Sequence, residues 1–144
     1  MAVHPVSVLV ADDDSLLCNL LKYKLGKCGY SVLTASDGEQ ALEFIADRPP
    51  SLMVLDSIMP ILDGISVLRQ VRQTYTPVEL PVVMLTAKRA DADVISALRL
   101  GVSDYITKPF LLKEFILRIE SLVKQSGHDR AARPDLPLIA SETF

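Results

Sequence analysis

The sequence predicts an α/β fold: an open, doubly wound parallel sheet of five strands with five helices. Short apolar runs alternate with longer segments of helical period from Val6 to about Lys124. Several runs, such as Val8, Leu9, Val10 and Leu52, Met53, Val54, Leu55, have no polar alternate face, as strands covered by helices on both sides require. Acidic residues close two of these runs, at the edge where such a sheet binds ligands.

Strands are expected over 6–11, 31–35, 52–56, 82–86 and 105–107, several rich in β-branched residues and bounded by Asp, Gly or Pro. Leu17, Leu20, Leu21, Leu25 and Cys28 recur at helical spacing and form one buried face; so do Leu112, Phe115, Ile116, Ile119, Leu122 and Val123. Shorter faces occur at Ala41, Leu42, Ile45, at Ile65, Leu68, Val71, and at Val94, Ile95, Leu98. Gly29 and Gly101 stand where helix C-termini need a positive φ. From about Gln125 the pattern stops, so 1–125 reads as the folded domain and 126–144 as a linker or flexible tail.

At 144 residues, with 49% hydrophobic and 23% charged residues, the chain has globular composition and the size of one domain. A net charge of −3 with no Lys and Arg run excludes a chain that itself coats nucleic acid or an anionic membrane. Without Asp12, Asp13 and Asp14 the count would be 15 acidic against 15 basic residues, so the acidic excess equals the charge of that tripeptide. On one helix Cys18 and Cys28 would sit about 15 Å apart, beyond disulfide reach, and both are expected reduced. No apolar stretch of about 18 residues and no signal-like N-terminus is present, so a cytoplasmic address is expected.

Asp12, Asp13 and Asp14 close the first strand and Asp56 closes the third. If those strands are neighbours, their carboxylates converge and repel unless a hard divalent cation, Mg²⁺ foremost, supplies compensating charge. The plainer alternative is a turn with a helix cap, and for Asp14, beside Ser15, capping is favoured. Thr86 and Lys108 end two further strands. Each alone is an ordinary strand-end residue, but a hydroxyl and an ammonium beside a carboxylate and a metal suit a transferring phosphoryl group.

In order, Asp12 and Asp13 after an apolar strand, Asp56 with Pro60 and Gly64, Thr86 with Ala87, and Lys108 with Pro109 and Phe110 resemble the receiver domain of two-component response regulators. The likeness spans roughly Val6 to Lys124 and implies a flavodoxin-like strand order 2-1-3-4-5. It further implies Asp56 as phosphoacceptor for a histidine kinase or a small phosphodonor. Asp13 would hold Mg²⁺ directly and Asp12 mainly through water, with Asp56 and the carbonyl of Ile58 completing the protein ligands. Lys108 would pair with phosphoryl oxygens and Thr86 would swing in to bond one of them. Tyr105 would change rotamer as helix 4, strand 5 and helix 5 rearrange, and the Lys108–Pro109 peptide would be cis. The chain would act as a switch, not as a turnover enzyme.

Ser51, where the family often has an acidic residue, reads as a surface change. Ile58 and Lys88 flank the path of water to the phosphoryl group, and neither can orient or activate that water, so slow self-dephosphorylation is expected. The resemblance also implies an output face on helix 4, strand 5 and helix 5, like that by which transcription-factor receivers with winged-helix outputs pair. Homodimerisation through Asp104 and Arg118 competes with their being plain exposed charges. Too few residues follow Gln125 for an output domain, so any contact with DNA is expected only through a domain outside this chain, and none with membrane. A phosphohydrolase would want a second Asp where Ile58 stands; an interaction module without phosphate finds no lesion among the five key residues; and a dinucleotide site lacks its glycine-rich turn.

Overall fold

The computed structural model describes residues 5–87 and 91–126. Along the chain run β1 (Ser7–Ala11), α1 (Ser15–Lys27), β2 (Ser31–Ala35), α2 (Gly38–Asp47), β3 (Leu52–Leu55), α3 (Gly64–Thr74), β4 (Val82–Thr86), α4 (Asp91–Arg99), β5 (Asp104–Thr107) and α5 (Leu112–Gln125). The strands are parallel in the order β2-β1-β3-β4-β5, as expected. Lys88 and the tail beyond Ser126 lie outside the described residues.

Period-two alternation sends each strand's side chains into two separate cores. Leu9, Ala11, Met53, Leu55, Val82 and Met84 pack with Ala41 and Ile45 of α2, Val67, Leu68 and Val71 of α3, and Ala97 of α4. Val8, Val10, Leu52, Val54, Val83, Leu85 and Ile106 pack on the other side with Cys18, Leu21 and Leu25 of α1 and Phe115, Ile119 and Val123 of α5. Both faces of β1, β3 and β4 are therefore dry, which is why these strands carry no polar alternation. Each fully buried Leu or Val contributes roughly 1.5–3 kcal/mol. The edge strand β2 exposes Ser31 and Leu33 and does alternate.

Local chemistry sets the helix starts. Asp14 accepts from the N–H groups of Leu16 and Leu17, Asp37 from Gln40 and Asp63 from Ser66. Such caps are worth about 1 kcal/mol each. Gly29 and Gly101 have φ of 96° and 86°, as helix ends of this kind need. Ile61 is at φ 72°, and Leu62 N–H donates to Pro60 O at 2.8 Å, a γ-turn that is strained at a β-branched residue.

Three expectations change. In α1 the buried residues are Cys18, Leu21 and Leu25, while Leu20 and Cys28 face solvent. Helix phase is decided by contact with the sheet, and the small thiol lets α1 approach it closely. Among the described side chains of α4 only Ala97 is buried, and Ile95 and Leu98 are exposed, so the sheet meets the small residue and leaves these larger apolar ones outside. Ser51 is half-buried and exchanges hydrogen bonds with Ser7, each N–H donating to the other's Oγ, which joins the starts of β1 and β3.

Candidate functional site

The strand order reverses between β1 and β3, the switch point at which sheets of this kind bind ligands. The ladder ends on the pair Ala11↔Leu55, so Asp12 and Asp56 emerge side by side. Both are anchored by backbone: Asp12 N–H donates to Ala35 O at 3.0 Å and Asp56 N–H to Ala11 O at 2.9 Å. β3 stops one residue short of its expected end, which places Asp56 just past the strand.

Asp12 and Asp56 are only 3% and 6% exposed, whereas Asp13 is open to solvent. One carboxylate oxygen from each of Asp12, Asp13 and Asp56 lies within 4.8 Å of the others. The Lys108 ammonium donates to Asp12 Oδ2 at 2.8 Å and stands 3.7 Å from Asp56 Oδ2. Asp12 Oδ1 also accepts from Asp14 N–H at 2.9 Å, while Lys108 joins the ends of β1, β3 and β5 through side chains. Lys108 is carried there by its N–H bond to Thr86 O at 2.9 Å, and the Lys108–Pro109 peptide is cis.

The electrostatics follow from three carboxylates around one ammonium. Burial, and next the charge of Asp12, push the Asp56 carboxyl above its ordinary pKa, while Lys108 and the Ile58 N–H pull the other way. Burial disfavours the charge on Lys108, but the hydrogen bond and charge of Asp12 outweigh it and its pKa is raised. The donor set is all oxygen, hard and of excess negative charge, and oxygens bound to one Mg²⁺ lie at most about 4 Å apart, so a small contraction accommodates that ion. The observed cluster fits it.

α3 docks directly against this loop. Gly64 N–H donates to Ser57 O at 3.0 Å, and a Cβ at Gly64 would lie 2.1 Å from Asp56 O, so only glycine permits the approach.

The structure thus gathers Asp12, Asp13, Asp56 and Lys108. Ile58 sits at the rim, 53% exposed, with its N–H 3.4 Å from Asp56 Oδ1. Thr86 is fully buried, and its hydroxyl is bonded to Ser57 Oγ. Tyr105 is half-buried in β5 beside Met84, packed against the α2–α3–α4 core and away from the carboxylates. Arg118 holds both oxygens of Asp104 at 2.9 Å and also bonds Glu114, all within one chain.

Two neighbours escaped the sequence reading. Cys18 donates its thiol to Asp12 O at 3.2 Å, and burial together with Asp12 and Asp14 raises its pKa to about 11. Ser57 partners Thr86, and the signal for it was strand register, since the pair Leu55↔Met84 extended by two residues sets Ser57 opposite Thr86.

The family model for the response regulator receiver domain matches residues 8–120. The chain is 44% identical over 119 residues to the alkaline phosphatase synthesis transcriptional regulatory protein PhoP of Bacillus subtilis (strain 168), covering 83% of this chain and 49% of that protein. It is 40% identical over 135 residues to response regulator MprA of Mycobacterium sp. (strain KMS), covering 94% of this chain and 57% of the relative. The chain therefore spans about half the length of the curated relatives it matches. Among solved structures, the receiver domain of Francisella response regulator 1452 superposes with a TM-score of 0.77 at 37% identity, covering 85% of this chain and 99% of that one. A receiver fold with its acidic cluster at the switch point, matched along most of its length, places this chain in the response regulator receiver domain family of two-component systems.

Proposed function

We propose that this chain is a phosphorylation-activated switch in which Asp56 accepts a phosphoryl group from a histidine kinase, with Mg²⁺ held by Asp12, Asp13, Asp56 and the Ile58 carbonyl. The observation that carries this reading is the meeting of three carboxylates and Lys108 at the β1/β3 switch point. Bound Mg²⁺ would offset the carboxylate charge and polarise the incoming phosphoryl group.

Asp56 attacks phosphorus through a carboxylate oxygen, an acyl phosphate bond forms, and the bond to the donor breaks. Its burial and its unbalanced charge make it a strained anion, poised to give its charge to a phosphoryl group. Lys108, 3.7 Å away, then has phosphoryl oxygens within reach of its ammonium. The Thr86 hydroxyl turns in to donate to another. Each such charge-assisted contact is worth roughly 1.5–3 kcal/mol, enough to bring a minor conformation to dominance. The change passes along β4 and β5 to Tyr105 and the surface of α4, β5 and α5, which controls an output domain or a partner.

On this reading the chain turns over no external substrate, works in the cytoplasm, and comprises a receiver at 1–125 and a linker or tail at 126–144. No described helix is long and apolar enough to cross a membrane. Pairing of two copies through α4, β5 and α5 is part of the proposal, but Asp104 and Arg118 already satisfy each other inside one chain and would have to exchange partners to bridge two. DNA is reached only through an output domain. The exposed, apolar Ile58 supports slow self-dephosphorylation, because it cannot orient an attacking water. A phosphoryl half-life of seconds, unchanged by Ile58→Asn, would defeat that part.

Intact mass after incubation with Mg²⁺ and acetyl phosphate tests the core of the reading. A gain of about 80 Da, the mass of one phosphoryl group, is expected for the native chain and not for Asp56→Asn. Equal gain in both would overturn it.

A further inference from the structure

Ser57 and Thr86 are both buried, at 8% and 0% exposure, and their hydroxyl oxygens lie 2.5 Å apart. Register explains the meeting. Leu55 faces Met84 across the β3–β4 ladder, and two residues on, Ser57 faces Thr86 on the same side of the sheet. That side is the α2–α3–α4 side, shared with Met53, Leu55, Val82 and Met84. The same alternation carries Asp12, Asp56 and Lys108 to the other side, with Val10, Val54 and Ile106. The hydroxyl that the proposed switch needs at Asp56 is thus bonded to a group on the opposite side of the strand ends.

A hydroxyl has one proton to donate, and a buried hydroxyl pair gives up its mutual bond only when a better partner is gained. From this geometry, and resting on the phosphoacceptor reading above, we infer that Ser57 is a latch: a positioning residue that holds Thr86 in the resting conformation and sets how readily it turns toward a phosphoryl group on Asp56. Ser57 touches neither phosphoryl group nor metal in this role; it acts through Thr86 alone. Its backbone is fixed by the Gly64 N–H bond to Ser57 O, so the latch stays in place while Thr86 moves.

Losing one neutral hydrogen bond that favours the resting state corresponds to a shift of roughly three- to tenfold in the resting-to-active equilibrium. The experiment is calorimetric titration of the chain with beryllofluoride, formed from beryllium chloride and sodium fluoride in the presence of Mg²⁺. Six forms are compared: Thr86, Thr86→Ala and Thr86→Ser chains, each with and without Ser57→Ala, with thermal melting to verify folding. Ser57→Ala is expected to bind roughly three- to tenfold more tightly than the native chain. In the Thr86→Ala background the same change is expected to do nothing, because the latch has nothing to hold; in Thr86→Ser, which keeps the hydroxyl, the gain returns.

Unchanged or weaker binding by Ser57→Ala overturns the latch, and so does an equal gain with and without the Thr86 hydroxyl, which would mean a general loosening of the loop. A Ser57→Ala chain that does not fold shifts the test to Ser57→Cys, whose weaker donor is expected to give a smaller gain that also depends on the Thr86 hydroxyl. These results leave the phosphoacceptor reading standing. A native chain that binds no beryllofluoride, or an Asp56→Asn variant that binds it equally well, overturns that reading and the latch together.

Discussion

Among the described residues, two clusters of paired charges are built on opposite principles. Around Lys108, the almost fully buried carboxylates of Asp12 and Asp56 compete for one ammonium, with the exposed Asp13 beside them. Around Arg118, two carboxylates share one guanidinium in a fork geometry, with all three side chains between a quarter and a half exposed. The second group is satisfied and screened by water, so it adds little to stability. The first is unbalanced, with two nearly buried carboxylates, and costs the fold energy that added positive charge, or loss of the negative, would relieve. An unmet charge, more than the number of contacts, sets the first group apart from the second.

The largest expected break in that contrast is Lys108→Ala. Removing this ammonium is expected to slow phosphorylation by acetyl phosphate about a hundredfold, the usual scale for losing a donor to transferred charge, as read from intact mass against time. Arg118→Ala is expected to leave that rate unchanged. An equal loss in the two variants would mean that the two groups do not differ as described.

Next in size is the response to Mg²⁺. At a hundredfold excess over its dissociation constant a ligand of the folded state adds about 2.7 kcal/mol, so the melting temperature is expected to rise by about 5–10 °C. Most of that rise should vanish in Asp13→Asn and persist in Arg118→Ala. A melting curve indifferent to Mg²⁺ would leave the unbalanced charge without its compensation.

Cys18 sharpens the contrast, because its thiol feels the acidic field through its contact with Asp12. Its pKa is raised from 9.0 to about 11, first by burial and then by Asp12 and Asp14. A thiol with a raised folded pKa contributes stability that is whole below pH 9 and is lost as pH climbs toward 11. Cys18→Ala is expected to remove on the order of 2 kcal/mol of that alkaline loss, seen by urea unfolding across the range. An identical alkaline slope in both chains would contradict it.

The smallest effect belongs to the satisfied group. Arg118→Ala at neutral pH is expected to cost less than about 1 kcal/mol in urea unfolding, and less again at high salt. A cost of several kcal/mol would show that the pair is a structural keystone and erase the distinction drawn above.

Particular residues show how far the sequence could be read. The dry strands were legible because Val8 to Val10 and Leu52 to Leu55 leave no polar face, and burial on both sides is the only environment that suits them. The polar cluster was legible because Asp12, Asp56 and Lys108 each stand at a strand end, and parallel strands deliver their ends to one edge. Helix phase was less legible. Leu20 looked as apolar as Cys18, and Ile95 and Leu98 more so than Ala97, yet close approach to the sheet selected the smaller side chains. Ser51 read as a surface change and Ser57 drew no reading, since nothing local tells that one meets Ser7 and the other Thr86.

The order of apolar, polar and turn residues along the chain by itself determined the α/β class, the count of strands and which residues stand at strand ends, because burial and periodicity are local properties of a segment. Tertiary structure alone decided which strand ends are neighbours, how far the carboxylates on them lie from one ammonium, and which hydroxyl holds Thr86. Those are distances between segments remote in sequence, and they are set by strand order and register, which emerge only when all five strands and both cores are packed at once.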